Sequence, residues 1–260
     1  MEVSDGILRL DPVKHERFRR NTIHQAFCEL RFPSLPDIEN DPPRDLVKRV
    51  RPTFPHHEHV VGANIGITDK GLEQVPQGTH RFLSRDRRWN AWLRKSSIGL
   101  ETSSYTDFDG FISQVRSLLE AAQPSLDTDF FTRIGLRYVN LLPATPGDVQ
   151  GWVNNQIVGP LGNGPFAYAD EYWSKTRGAT VEGTFTFQYG FAVIDGSKGY
   201  VLDTDFAVES VDWADAIPSL TRLNQQSYEL FRWAIGPSTL EHLRSTDPHR
   251  KQHRHSLTCP

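Results

Sequence analysis

Cysteine is scarce in this chain of 260 residues: only Cys28 and Cys259 are present. Cys28 lies on the apolar side of an alternating segment and Cys259 is the penultimate residue, so the disulfide framework that staples small secreted domains is not expected. A chain of this length buries roughly 70–75% of its unfolded surface, which suffices for folding without bridges or metal. Long apolar runs are missing as well. No stretch approaches the ~20 consecutive apolar residues that span a bilayer. Residues 1–18 carry charges every few positions and lack the apolar segment of a secretory signal. The expectation is a cytoplasmic protein without membrane attachment.

Charge of a single sign is also lacking. Lys and Arg number 29 against 32 Asp and Glu, a formal net charge of −3, which gives no global attraction to nucleic acid or lipid. The familiar chemical fingerprints are absent: there is no Walker loop, dinucleotide glycine motif or nucleophile elbow. Residues 159–164 are glycine-rich but stand in the wrong context for a phosphate loop. Neither cysteine has a nearby histidine partner that makes it an obvious nucleophile. No cofactor is expected.

What the chain does have is a generous aromatic share, with six Trp and fifteen Phe, arranged in alternating segments. Residues 130–140 are the most organised. Ile134, Leu136 and Tyr138 fall on one side of an extended chain, and Arg133, Gly135 and Arg137 fall on the other. A period of two with β-branched and aromatic residues predicts a strand with one face on a core. The other face carries two guanidinium groups with a glycine between them, where a chain or ligand could approach.

In chain order, residues 1–21 are polar and read as a loosely held arm. A strand follows at 24–32, with Ala26, Cys28, Leu30 and Phe32 on one face, and then a short helix begins after Pro42-Pro43. Residues 80–105 read as a three-stranded meander. Asp107 or Asp109 can cap a helix carrying Phe108, Phe111, Ile112, Val115, Leu118 and Leu119 at helical spacing.

The second half varies the theme. A short helix is expected at 148–158, and a strand over 183–194, where Phe185, Phe187, Tyr189, Phe191 and Val193 alternate. A hairpin turn over Asp195-Gly196-Ser197-Lys198-Gly199 leads into the next strand from Tyr200, and a helix from Ser219 is interrupted at Gly236-Pro237. The fold class is therefore α+β: twisted antiparallel sheets covered on one side by helices. The expected organisation is an arm (1–21), two related halves (22–143 and 144–246) and a disordered basic, histidine-bearing tail (247–260).

The order of these signals resembles an uncharacterised, sporadically distributed bacterial protein family. Its marks read here as Glu29-Leu30-Arg31-Phe32-Pro33, Arg81-Phe82-Leu83-Ser84-Arg85-Asp86, the core strand from Arg133 to Asn140, and Leu202-Asp203-Thr204-Asp205. The closing aromatic helix at 223–235 matches as well. The resemblance covers roughly residues 22–244 and implies no activity, substrate or catalytic residue.

Three clusters could carry chemistry. His56, His57, Glu58 and His59 offer metal-ligating groups, but alternate strand residues point to opposite faces, so only His57 with His59, or His56 with Glu58, could converge. A solvated polar turn is the favoured reading there. Asp203 and Asp205 share one strand face, as a magnesium or acid/base pair would, with Arg133 or Arg137 to stabilise charge; they could equally pair with those arginines across neighbouring strands. Arg81, Arg85, Arg87, Arg88 and Arg94, interleaved with Trp89 and Trp92, form the only dense basic and aromatic patch.

The leading expectation is a non-enzymatic protein-binding module that uses the exposed sheet face and this patch; the sporadic distribution of the family it resembles is what implies a toxin-neutralising or phage-defence setting. The rivals are a metal-dependent hydrolase or nuclease using Asp203 and Asp205, and a single-stranded nucleic-acid binder through the Arg/Trp meander.

Overall fold

A computed structural model describes residues 7–68, 71–162 and 164–245. Among these, the first five strands are β1 (Ile23–Arg31), β2 (His56–Thr68), β3 (Gly71–Leu83), β4 (Trp89–Arg94) and β5 (Ser97–Thr102). The other four are β6 (Phe130–Leu142), β7 (Tyr172–Ala179), β8 (Thr184–Ile194) and β9 (Ser197–Asp212). All nine form one antiparallel sheet in the order β2-β3-β4-β5-β1-β6-β9-β8-β7. Its helices are α1 (Arg44–Val50), α2 (Phe108–Ala122), the single turn α3 (Asn155–Val158), α4 (Ala216–Ala234) and α5 (Pro237–Arg244). The protein is α+β, with helices packed on the sheet. None of the described helices is long and apolar enough to cross a membrane.

The two expected halves share this sheet. Strands β1 to β6 fill one side and β7 to β9 the other, joined along the β6–β9 pair. β6 is central because its inner face is continuously apolar: Ile134 and Leu136 are fully buried and Tyr138 nearly so. Neighbouring Cys28 and Leu30 of β1 and Leu202 and Phe206 of β9 complete a layer that α2 and α4 cover. Helix α2 starts where its cap predicts, with Asp107 Oδ1 accepting from Gly110 N at 2.8 Å. Asp195 and Gly196 both take positive φ, 47° and 78°, which closes β8 and β9 as a two-residue hairpin.

Three expectations are corrected. The segment around His57 is not a turn but the strand β2, paired with β3 from His56 opposite Leu83. Its run of polar side chains hid a strand whose order comes from cross-strand pairing. Residues 172–179 form the edge strand β7 along β8. The helix expected over 148–158 is reduced to Asn155–Val158, capped by Asn154. Gly151 before it takes φ 85° and Gly159 after it φ 58°, left-handed geometry that a helix cannot continue through. The N-terminal arm, over its described part, is not loose. Leu8 N donates to Ala179 O at 2.8 Å, and Arg19 N and Arg20 N both donate to Leu243 O. The basic tail and Cys259 lie outside the described residues.

Candidate functional site

The signature strand and its neighbours build a charge ladder on the sheet face away from the helices. Arg137 donates to Asp203 twice, Nε to Oδ1 at 2.8 Å and Nη2 to Oδ2 at 2.7 Å, and Gln188 Nε2 adds a bond to Oδ2 at 3.3 Å. Arg133 Nη2 stands 3.4 Å from Asp205 Oδ2. Glu29 draws in three cations: Arg31 Nε at 2.8 Å, with Arg94 Nη1 and Arg133 Nη1 each at 3.7 Å. Arg31 and Arg133 are direct cross-strand partners, a repulsive juxtaposition that the shared Glu29 carboxylate relieves. The space over Gly135 is taken by the guanidinium of Arg133 itself.

These environments set the charges. Hydrogen bonding to Asp203 pushes the Arg137 guanidinium further up, against the opposing effect of its burial. Burial raises the Asp205 carboxyl although Arg133 and Arg137 pull it down. Asp203 and Asp205 thus share a face as expected, but each already has a guanidinium partner. Among the described residues no group of three or more His, Cys, Asp or Glu is placed to hold a metal ion.

The other predicted residues separate. Trp89 turns to the helix side and stacks at 6.0 Å on Phe111, while Trp92 lies against Gly99 on the opposite face and is 8% exposed. Arg87 and Arg81 face Glu58, at 2.9 and 4.0 Å, and Arg94 donates to Thr79 Oγ1 at 3.1 Å. Arg85 and Arg88 stay exposed. The meander therefore offers no row of stacking aromatics. His57 and His59 do converge, with His80 as third ring: His57 Nε2 is 3.4 Å from His80 Nδ1, and His59 stacks on His80 at 4.5 Å. His80 Nε2 donates to Ile38 O at 3.0 Å, and burial lowers the pKa of both His57 and His80.

A cavity of about 430 Å³ opens elsewhere, between β6, α4, the N-terminal segment and the start of α2. Its walls include Tyr138 and Asn140 of β6 with Asn224, Ser227 and Phe231 of α4, closed by Thr22 and Tyr105. Asn140 and Tyr138 are successive inward positions of one strand, and Asn224, Ser227 and Phe231 recur at helical spacing, so each wall is one face of one element.

Polar groups on the cavity wall are held in pairs with neighbouring side chains. Tyr138 Oη donates to Asn224 Oδ1 at 2.8 Å, Thr22 Oγ1 donates to Asn140 Oδ1 at 3.0 Å, and the Thr204 and Ser227 hydroxyls meet at 2.8 Å. Burial pushes the Tyr105 hydroxyl up to about 12 and that of Tyr138 well above its ordinary value. At the rim, His15 stacks on Tyr228 at 4.1 Å, and Glu16 grips Arg244 through two contacts of 2.6 Å.

No family model matches the chain, and no curated protein matches it. Among solved structures, one described as the crystal structure of the di-domain ARO/CYC StfQ from the steffimycin biosynthetic pathway is similar over 80% of this chain and 96% of that chain. The identity is 9% and the TM-score 0.20, a likeness too slight to carry an argument.

Sequence reasoning missed the cavity. Asn140 closes the signature strand, and Tyr138 reads there as an ordinary core residue. Asn224 is a polar residue on the inward face of an amphipathic helix, and that irregularity is the one signal the sequence offers.

Proposed function

We propose that this protein is a non-enzymatic binding protein whose ligand is a small organic molecule held in the cavity between β6 and α4. The observation that carries this reading is a pair of buried asparagines. Asn140 and Asn224 are 3% and 9% exposed and both line the cavity. Each uses its carbonyl oxygen within the protein, and among the described residues neither Nδ2 has a protein acceptor. Neither Nδ2 is among the enclosed atoms left without a partner, so both open onto the cavity, and two such donors on one wall favour a guest that presents acceptors. The volume is within the usual range for small-molecule sites, roughly 300–1,000 Å³.

The charge ladder supports binding chemistry less well. Its carboxylates and guanidinium groups neutralise one another across strands, the arrangement of a face that fixes register. A hydrolytic role for Asp203 and Asp205 would first require breaking those pairs.

Native mass spectrometry of protein purified gently from its own host tests the proposal. A stoichiometric small-molecule mass is expected on the wild-type chain. It should be absent from Thr106→Trp, which plugs the exposed rim of the cavity. A bare wild-type chain, or a guest retained by the plugged variant, would sink the reading.

A further inference from the structure

The chemistry of the cavity wall specifies more than occupancy. Its inner part carries no charged side chain: Thr22, Tyr105, Tyr138, Asn140, Asn224 and Phe231 are all neutral groups. The raised Tyr105 and Tyr138 hydroxyls stay protonated at neutral pH. Charged residues stand at the rim, and several are already engaged. Asp107 caps α2 through Gly110 N and faces Arg17 Nη2 at 3.4 Å. Glu16 holds Arg244 and Arg232, and Arg20 Nε donates to Ser245 O at 3.2 Å. A ligand carboxylate or phosphate pushed to the inner wall would meet no cation there, and a buried unpaired charge is strongly unfavourable.

The asparagine groups left open to the cavity are donors. Both asparagine carbonyls are occupied, by Thr22 Oγ1 and by Tyr138 Oη, so both amide Nδ2 groups are left for a guest. A guest that fits them presents hydrogen-bond acceptors. The flanking surfaces are rings. Tyr105 sits edge-on to Tyr138 at 5.5 Å, and Phe108 and Phe231 also line the cavity. Aromatic walls favour a planar partner, which buries large area against them with little loss of conformational freedom.

From these features we infer that the cavity takes an uncharged, planar molecule bearing carbonyl-type acceptors, received by Asn140 Nδ2 and Asn224 Nδ2. The inference rests on the binding reading above and adds the ligand class. Ligand entry follows the rim between residues 15–21 and the start of α2.

Three fused-ring probes of similar size separate the possibilities by calorimetry on the full chain: coumarin, with an uncharged lactone carbonyl; naphthalene, without an acceptor; and coumarin-3-carboxylate, an anion at neutral pH. Coumarin is expected to bind wild type, and the other two at least about tenfold more weakly, the scale of one lost hydrogen bond. Asn140→Asp keeps the acceptor for Thr22 but removes the free donor, and Asn224→Leu removes the other donor; each should weaken coumarin about tenfold. Equal binding of all three probes by wild type, abolished in Thr106→Trp, would overturn the ligand class while leaving the cavity reading intact. Binding of none of them, together with a bare native mass, would overturn both. The comparison among probes uses only wild-type protein, so it stands even if an asparagine variant fails to fold.

Discussion

Arg137 and Asp203 meet in a fork, two parallel hydrogen bonds of 2.8 and 2.7 Å joining adjacent strands on the sheet face away from the helices. The Asp203 side chain is 7% exposed and that of Arg137 is 44% exposed. The two are therefore not equivalent. The carboxylate depends on its partner, whereas the guanidinium can turn to water.

That asymmetry gives the first prediction. Arg137→Ala strands a buried carboxylate and should lower unfolding free energy by about 2–3 kcal/mol, while Asp203→Asn, which can still engage Gln188, should cost less. Urea titration of both variants and of the double variant checks the order. Equal losses would mean that the pair is screened and contributes nothing specific.

Asp205 should behave in the opposite sense. Burial raises its carboxyl in the folded state more than Arg133 and Arg137 lower it. A group with a raised folded pKa contributes stability below its unfolded pKa and loses it as pH rises through the folded value. At neutral pH the ionised Asp205 is thus a liability, and Asp205→Asn should leave stability unchanged or raise it. A thermal midpoint well below wild type at neutral pH would contradict this.

The histidine cluster at the β2–β3 hairpin makes stability sensitive to acid. His57 and His80 have lowered pKa values, chiefly through burial, with His59 and, at His57, Arg51 adding repulsion. Their stabilisation is present above the unfolded histidine value of about 6.5 and is lost as pH falls through the lower folded values. His80→Gln should cost about 1–2 kcal/mol near neutral pH by disturbing the bond to Ile38 O, yet flatten the acid decline. Denaturant midpoints measured across that pH window for both proteins decide it; parallel curves would exclude the cluster as the source.

Gly99 is required by Trp92. A Cβ at residue 99 would collide with the Trp92 ring and with the Cys28 carbonyl oxygen. Gly99→Ala should therefore destabilise by about 1–3 kcal/mol through overpacking and shift tryptophan emission. Truncating the ring in Trp92→Leu should reduce the penalty of the alanine. A Gly99→Ala protein as stable as wild type would show that the ring moves freely.

Glu16 ties the N-terminal segment over α4 and α5, near the mouth of the cavity. Its pKa is lowered, first by the hydrogen bond to Arg244. The clasp is thus complete above the ordinary carboxylate range and released as pH falls through the lowered value. Glu16→Ala should speed amide exchange over residues 13–21 with little change in the sheet. Unchanged exchange there would place the hold on the segment in its backbone bonds alone.

The local elements were legible because local rules govern them. The alternation of Ile134, Leu136 and Tyr138, the Asp107 cap and the Asp195-Gly196 turn each depend on a few neighbouring residues. The pairing choice for Asp203 and Asp205 was also present in the sequence, though as one of two alternatives. β2 and β7 escaped notice because both are edge strands of the sheet. With one flank open to water, an edge strand needs no continuous apolar face, so periodicity does not announce it.

By itself, then, the sequence determined the fold class, most strand and helix positions and which residues face the core, because periodicity and turn chemistry act over a few residues. Only tertiary structure decided that the two halves share one sheet, that Trp89 and Trp92 point to opposite faces, and that Asn140 and Asn224 meet across a cavity. Those facts depend on strand order and helix packing, which bring residues distant in the chain within a hydrogen bond of each other and leave no local trace.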